Sequence, residues 1–553
     1  MKVTAVLVLM SACLVMARFV AEQRTLMETD LKLSVPEGWK DFGAAPENMP
    51  LSLTLSLKQQ NLDVIERELR LVSEPKSASY GKYWSIERIN EVIRPTEETR
   101  RSVIGWLNEN GIPFEQKIVD YIKIQCTVEQ AQRLLNVQLN LFLHVDSSSL
   151  LVRALSHYSI PSDLVPHINL ISGVLGFPRV PHGLKERAAQ DGPDTTPETI
   201  QKNYNITLPA ANPKNLQAVA SFLQQYYNPK DLQRFEQRFG LPLVPIQQTI
   251  GYNDPNKPGI EASLDVQYLL GVGNCSITTY VYSTNGTMPS GNEPFLDFLT
   301  LLDSEPTIPF LISMSYQDLE YTVSYSYAVQ CNSEFMKNTL RGTTFITGSG
   351  DWGVGCEDSD HCNVFTADFP SSSPYVVSTG ATTASAKGEI GVDFSSGGFS
   401  NYFAQPSYQT AAVNGFLSQT QLPPAAFFNA TGRAFPDVAA IGTNFIIFTE
   451  GVPFPIGGTS AATPTFGSIL SMINSLRIAQ NLPTLGWVQP FLYQAWASNP
   501  LAFQDITDCQ KQMTGCCPYS FTTVPGWDPV TGLGTPNFGI LASIALDSNF
   551  FNF

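Results

Sequence analysis

Histidine is scarce in this chain, and scarcest where the chemistry is concentrated. Five occur: His144, His157, His167, His182 and His361. Four precede a polar stretch near residue 190, and His361 lies in a loop between Cys356 and Cys362, where a solvated or structural role is the better reading. A hydrolase built from the later part of the chain would therefore lack the usual imidazole base. Charge is also sparse. Only 15% of residues are charged, Lys and Arg number 33 against 49 Asp and Glu, and the net charge is −16. An acidic surface repels phosphates, which excludes nucleic acid as an expected partner. After the N-terminal segment no uninterrupted apolar run reaches spanning length, so no stable membrane insertion is expected.

A length of 553 residues implies two or more domains. A hydrophobic share of 43% with 39 Gly and 39 Pro indicates a globular, loop-rich protein. Met1-Lys2, the apolar run that follows and Val15-Met16-Ala17 form a secretory signal peptide over residues 1–17. Of nine cysteines, Cys13 falls in that signal. Most of the others are expected to pair in an oxidising compartment, with Cys356, Cys362, Cys509, Cys516 and Cys517 crowded into two loop regions. A zinc site is the rival reading, made poorer by adjacent Cys516-Cys517 without a nearby histidine. Asn205, Asn274, Asn285 and Asn429 each open a glycosylation sequon.

Residues 18–184 read as a self-contained α+β unit. Leu51 to Leu57 alternates as a half-buried strand, Asn61 to Val72 and Pro95 to Asn108 have helical spacing, Ile118 to Cys126 is a strand candidate, and Thr127 begins another helix. A small sheet with helices on one face is expected. Residues 185–197 are polar and aperiodic, a linker exposed to proteolysis. From 198 to 553 strand-like and helical runs alternate: Gln217 to Ala220, Pro229 to Phe239, Thr278 to Tyr282, Phe295 to Leu302, Thr307 to Ser315, Tyr327 to Leu340, Thr343 to Gly348, Tyr375 to Gly380 and Phe445 to Phe448. This predicts an α/β domain with a mostly parallel sheet flanked by helices, and a site at the C-terminal strand ends.

Gly457-Gly458-Thr459-Ser460-Ala461-Ala462-Thr463-Pro464 runs from a loop rich in Pro and Gly (Val452 to Gly458) into an apolar helical segment. Ser460 is then either a helix cap or a nucleophile placed where the helix terminus favours negative charge. Glu261 and Asp265, four apart, share a helix face; they are a solvated acidic face unless they share a proton or a function. Their apolar neighbours favour the second. Asp351, flanked by glycines at a strand end, is a turn residue or, if protonated, a hydrogen-bond donor to a tetrahedral oxyanion. A carboxylate base with a carboxyl donor would confine the chemistry to acid, because carboxyl groups titrate near pKa ~4.

Together the segments around Glu261, Asp265, Asp351 and Ser460 resemble the sedolisin family of serine-carboxyl peptidases. Ser79-Tyr80-Gly81-Lys82-Tyr83, Gly397-Gly398-Phe399-Ser400-Asn401, Phe435-Pro436-Asp437-Val438-Ala439-Ala440 and Gly526-Trp527-Asp528-Pro529-Val530-Thr531-Gly532 carry the same resemblance over nearly the whole chain. It implies a subtilisin-like catalytic domain behind an inhibitory prodomain, with Ser460 as nucleophile, Glu261 as base, Asp265 orienting Glu261 and Asp351 as oxyanion acid. It also implies one structural calcium held by Asp505, Ile506, Val524, Gly526 and Asp528. The activity implied is release of tripeptides from free N-termini of peptide or unfolded protein substrates, in a lysosome or comparable acid compartment, or after secretion. An acid endopeptidase and a catalytically silent secreted glycoprotein are the alternatives. Gly457 stands where members of the family often have Ser, and Trp352 where Ser is usual, and this bears on substrate preference. Charging of the four histidines ahead of the linker is a candidate activation trigger.

Overall fold

The structure is a computed structural model that describes residues 23–551, apart from 146–148, 179–191, 211, 274, 285–293, 356–363, 420 and 515–516. The expected signal, residues 185–191 of the linker, His182, His361, Asn274, Asn285, Cys356, Cys362 and Cys516 lie outside the described residues.

The N-terminal unit is built on β1 (Pro50–Leu57), whose alternating Leu51, Leu53, Leu55 and Leu57 are all buried. Helices α1 (Leu62–Ser73), α2 (Ile86–Ile93) and α3 (Glu97–Glu109) follow. Strands β2 (Phe114–Ile118) and β3 (Tyr121–Thr127) form a hairpin where a single strand was expected. In β2 the exposed polar Glu115 and Lys117 hide the period. Helix α4 (Val128–Leu135) opens on a capping box between Thr127 and Gln130. Strand β4 (Ile168–Ser172) completes an antiparallel sheet of order β2-β3-β1-β4. The unit has a core of its own around Leu53, Leu107 and Ile124, and its helices α1 and α2 also pack on the larger domain. Ile65, Leu69 and Val72 of α1 and Ile89 and Ile93 of α2 join one hydrophobic cluster with Phe335 and Met336 of the larger domain. Trp84 N–H donates to the Leu340 carbonyl at 3.0 Å.

The larger domain carries β5 (Leu216–Ser221), β6 (Gln248–Gly251), α5 (Ile260–Val272), β7 (Thr278–Ser283), β8 (Leu311–Met314), α6 (Tyr325–Leu340), β9 (Thr344–Gly348), β10 (Val376–Ser385), β11 (Gly388–Gly391) and β12 (Val438–Ile441). The sheet order is β6-β7-β5-β8-β9-β10-β11, with β12 also on β10. All pairings are parallel except β10–β11. Alternate residues face opposite layers, as strand geometry requires. Val219, Leu311 and Ile346 pack toward α5, while Ala218, Ile312 and Phe345 pack toward α6.

One expected sheet strand lies elsewhere. β13 (Phe445–Thr449) pairs antiparallel with β14 (Val452–Ile456) in a separate two-stranded hairpin. The segment read as a Pro-rich loop is that second strand. Pro453 and Pro455 are tolerated because an outer strand need not donate on both sides. The hairpin delivers the chain to α7 (Thr459–Ala479).

Candidate active site

Helix α7 shows no amphipathic stripe, because residues 459–475 are buried on every face. It runs beside β8, β9, β10 and β12 and along α5. Small residues permit that contact: a Cβ on Gly467 would meet Leu269 at 3.4 Å, and one on Gly273 would meet Ser468 at 3.1 Å. Gly458, at φ 149°, is the N-cap residue, so Ser460 is not the cap. Its side chain sits in the first turn, 5% exposed. Pro464 stands four residues on and has no N–H, so the Ser460 carbonyl lacks its intrahelical donor. The Ser315 hydroxyl oxygen lies 3.5 Å from that carbonyl.

Glu261 and Asp265 lie in the first turns of α5, both buried, so the solvated-face reading is excluded. Glu261 N–H donates to Gln225 Oε1 at 3.2 Å, and Gly259 leaves the space that Gln225 needs. Burial, the Asp265 charge and the Asp351 charge hold the Glu261 carboxyl well above the usual range, against hydrogen bonding from the Ser460 and Ser315 side chains. Burial likewise raises Asp265, against a hydrogen bond from Ser315. That bond runs from Ser315 Oγ to Asp265 Oδ1 at 2.7 Å.

Asp351 follows the C-terminal end of β9 and meets α7 at its start. The Thr459 main-chain N–H and hydroxyl donate to Asp351 Oδ1 at 2.8 and 2.9 Å. The glycines around Asp351 make room for protein: a Cβ on Gly348 would meet Thr459 Oγ1 at 2.7 Å, and one on Gly350 (φ 111°) would meet Asp368 Oδ2 at 2.5 Å. Trp352 N–H donates to Ser396 Oγ at 3.0 Å. Ser460, Asp351 and the Glu261–Asp265 pair thus converge, although about 90 to 200 residues separate the three segments in sequence. The described histidines, His144, His157 and His167, all belong to the N-terminal unit, where His144 stacks edge-on against Trp39 and His167 Nδ1 is 3.0 Å from Thr99 Oγ1. Sequence reasoning missed Ser315 and Thr459 as neighbours of the four. Only the position of Ser315 just past a strand end could have signalled it.

The residues expected to hold calcium also come together. Gly526 N–H donates to Asp505 Oδ2 at 2.9 Å and Val524 N–H to Asp528 Oδ2 at 3.3 Å. Asp528 is fully buried, with its carboxyl pushed up to about 7 by burial, and it accepts from the Val530 and Thr531 main-chain N–H groups. Asp505 and Asp528 both bond the main chain of the 524–526 turn, and carboxylate oxygens are the donor type that suits a hard cation. Among the described residues no group of three or more acidic, His or Cys side chains could hold a metal. Cys126 and Cys275 are buried thiols without a disulfide, contrary to the expected pairing, and Cys509 lies 3.6 Å from Thr522 Oγ1. Asn205 is exposed, whereas the Asn429 amide donates to the Ser400 carbonyl at 2.9 Å.

Residues 37–177 match the family described as pro-kumamolisin, activation domain. The larger domain shares its fold with a Pseudomonas sedolisin (serine-carboxyl proteinase) solved with two molecules of pseudo-iodotyrostatin: TM-score 0.51, 22% identity, 63% of this chain and 97% of that one. Near-full-length relatives agree with both matches, and the chain belongs to the sedolisin family of serine-carboxyl peptidases. It is an acid serine-type peptidase made as a zymogen. The relatives in question are tripeptidyl-peptidase 1 of Canis lupus familiaris, 38% identical over 541 residues (93% of this chain, 95% of the relative), and of Homo sapiens, 37% over 547 residues (94% and 96%). No helix among the described residues is long and apolar enough to cross a membrane.

Proposed function

We propose that this peptidase releases tripeptides from the free N-termini of peptides and unfolded proteins in an acid compartment. Ser460 Oγ attacks the scissile carbonyl and passes its proton to Glu261, which Asp265 orients. The carboxyl of Asp351 donates to the tetrahedral oxyanion, and Glu261 then protonates the leaving amine. Water hydrolyses the acyl-enzyme by the same relay. The observation that carries this reading is the meeting of the Ser460 side chain with the buried Glu261 of the Glu261–Asp265 pair, at a helix start that also engages Asp351. Residues 18–184 act as an inhibitory prodomain removed by cleavage within 185–197, and 198–553 form the mature enzyme. Residues 1–17 route the chain through the secretory pathway to a lysosome or to the exterior. Asp505 and Asp528, with main-chain oxygens of Ile506, Val524 and Gly526, hold one calcium ion, which when bound neutralises the two carboxylates and fixes the C-terminal turn.

The test is hydrolysis of a tripeptidyl amide at about pH 4 by the activated enzyme and by Ser460→Ala. Activity that survives the substitution removes the mechanism. Equal rates on free and N-terminally blocked peptides would replace the exopeptidase reading with an endopeptidase one.

A further inference from the structure

Asp265 is fully buried, and the one hydrogen bond to its carboxyl among the described residues comes from Ser315 Oγ to Oδ1, at 2.7 Å. Asp265 Oδ2 is buried without a protein partner, and so is Glu261 Oε1. Ser315 is itself buried and follows directly on β8, a central strand paired on both sides, so its hydroxyl is held by the most rigid part of the sheet. The same Oγ lies 3.5 Å from the Ser460 carbonyl, the one in that turn which Pro464 leaves without an amide.

We propose that Ser315 is a positioning residue for the carboxylate pair: its hydroxyl fixes Asp265 Oδ1 as an acceptor, which leaves Oδ2 to carry the proton that Asp265 and Glu261 share. This rests on Glu261 being the base. A seryl O–H can be given to only one acceptor at a time, and the 2.7 Å contact takes it. With Oδ1 occupied, a proton on Asp265 resides on Oδ2, and Glu261 is free to take the Ser460 proton when the substrate is attacked. Without that hydroxyl either oxygen of Asp265 can hold the proton, and the ionised pair loses a donor. Ser315 bonds the carboxylate pair and not the scissile bond, so its effect passes through Asp265 and Glu261.

Steady-state kinetics on a tripeptidyl amide across pH 3 to 7 would test this with four variants of the full chain after activation: Ser315→Ala, Ser315→Thr, Asp265→Asn and the double Ser315→Ala/Asp265→Asn. Loss of one hydrogen bond to an ionised buried group is expected to lower kcat about 10- to 100-fold for Ser315→Ala, with KM changed less than about twofold. Removing a donor from the ionised pair disfavours ionisation, so the acid limb of kcat/KM moves to higher pH. Ser315→Thr retains the hydroxyl and keeps the wild-type acid limb. Where Asp265 is already Asn, adding Ser315→Ala costs little more, because the two act as a unit. An unshifted acid limb in Ser315→Ala, or full additivity in the double variant, overturns the proposal. Either result leaves the proposed function standing, since that depends on Ser460→Ala being inactive.

Discussion

Thr459 gives both of its donors, main-chain and hydroxyl, to a single oxygen of Asp351, Oδ1. The carboxyl is thereby oriented from one side by the start of the helix that bears Ser460. In the proposed mechanism the donor to the oxyanion comes from its other oxygen, and in a carboxyl that donor exists only when protonated.

Asp351→Asn supplies an N–H donor at any pH while its carbonyl oxygen accepts from Thr459 as before. The variant is expected to retain weak activity, down by about 10- to 1000-fold as for other oxyanion donors, and to lose the alkaline fall in rate. A pH–rate profile from 3 to 8 checks this. An alkaline limb unchanged from wild type would mean that Asp351 does not control it.

Two carboxylates of the N-terminal unit sit at the start of α6. Ser324 Oγ donates to Glu28 Oε1 at 2.6 Å and Tyr325 N–H to Asp30 Oδ2 at 2.6 Å. Burial pushes Glu28 up from 4.5 to about 7. A raised value in the folded state means that stability is full below the ordinary carboxylate range and is lost as pH rises through about 7. The zymogen should melt lower at pH 8 than at pH 5, and Glu28→Gln, which cannot ionise, should recover about 2 °C or more of that difference in Tm. Identical differences in both proteins would count against it.

A second contact between the domains is fully buried. Lys337 Nζ lies 3.1 Å from Asp120, 2.8 Å from Asp303 and 2.6 Å from Glu334. Asp120 alone comes from the N-terminal unit. Burial opposes ionisation of Asp303, yet the Lys337 charge and the hydrogen bonds from Glu334, Lys337 and Asn338 together outweigh it and hold that carboxyl below the usual range. Its contribution is thus present above that range and is lost on strong acidification. Asp120→Ala removes the cross-domain partner and is expected to speed processing of the zymogen at about pH 5 by on the order of tenfold or more. Cleavage followed on gels over time provides the measurement, and an unchanged rate would remove this contact from any part in latency.

Chelation of calcium is expected to lower the Tm of the wild-type enzyme by several degrees, since a ligand bound only to the folded state stabilises it by mass action. Asp528→Asn should melt lower at the outset and respond little to a chelator. Equal chelator sensitivity in both proteins would place the ion elsewhere.

Much of this arrangement is legible from residue order because buried parallel strands announce themselves. Runs such as Thr344–Gly348 and Leu311–Met314 are short, uncharged and buried throughout, and the strand-helix alternation around them fixes the class. The four acidic and seryl residues were found by a shortage, since the later chain has His361 alone, in a loop between cysteines, which left carboxylates as the available base. The misplaced elements have local causes. β13 and β14 form a hairpin set apart from the main sheet, and prolines disguise β14 as a loop. Asp120 and Lys337 gave no signal because an ion pair between residues 217 positions apart has no sequence period. Ser315 was silent for another reason: a serine after an apolar strand looks like any loop residue until its acceptor is known.

Enclosure of α7 on every side has a consequence for how the enzyme can be inactivated. Its residues have no surface across which to shift, so no small reorganisation can retract Ser460 while the core persists. Amide hydrogens shortly after Ser460 are therefore expected to exchange only through opening of the whole domain, at the slowest rate in the chain. Control over this enzyme is consequently left to whatever covers the serine, because the serine itself has nowhere to go.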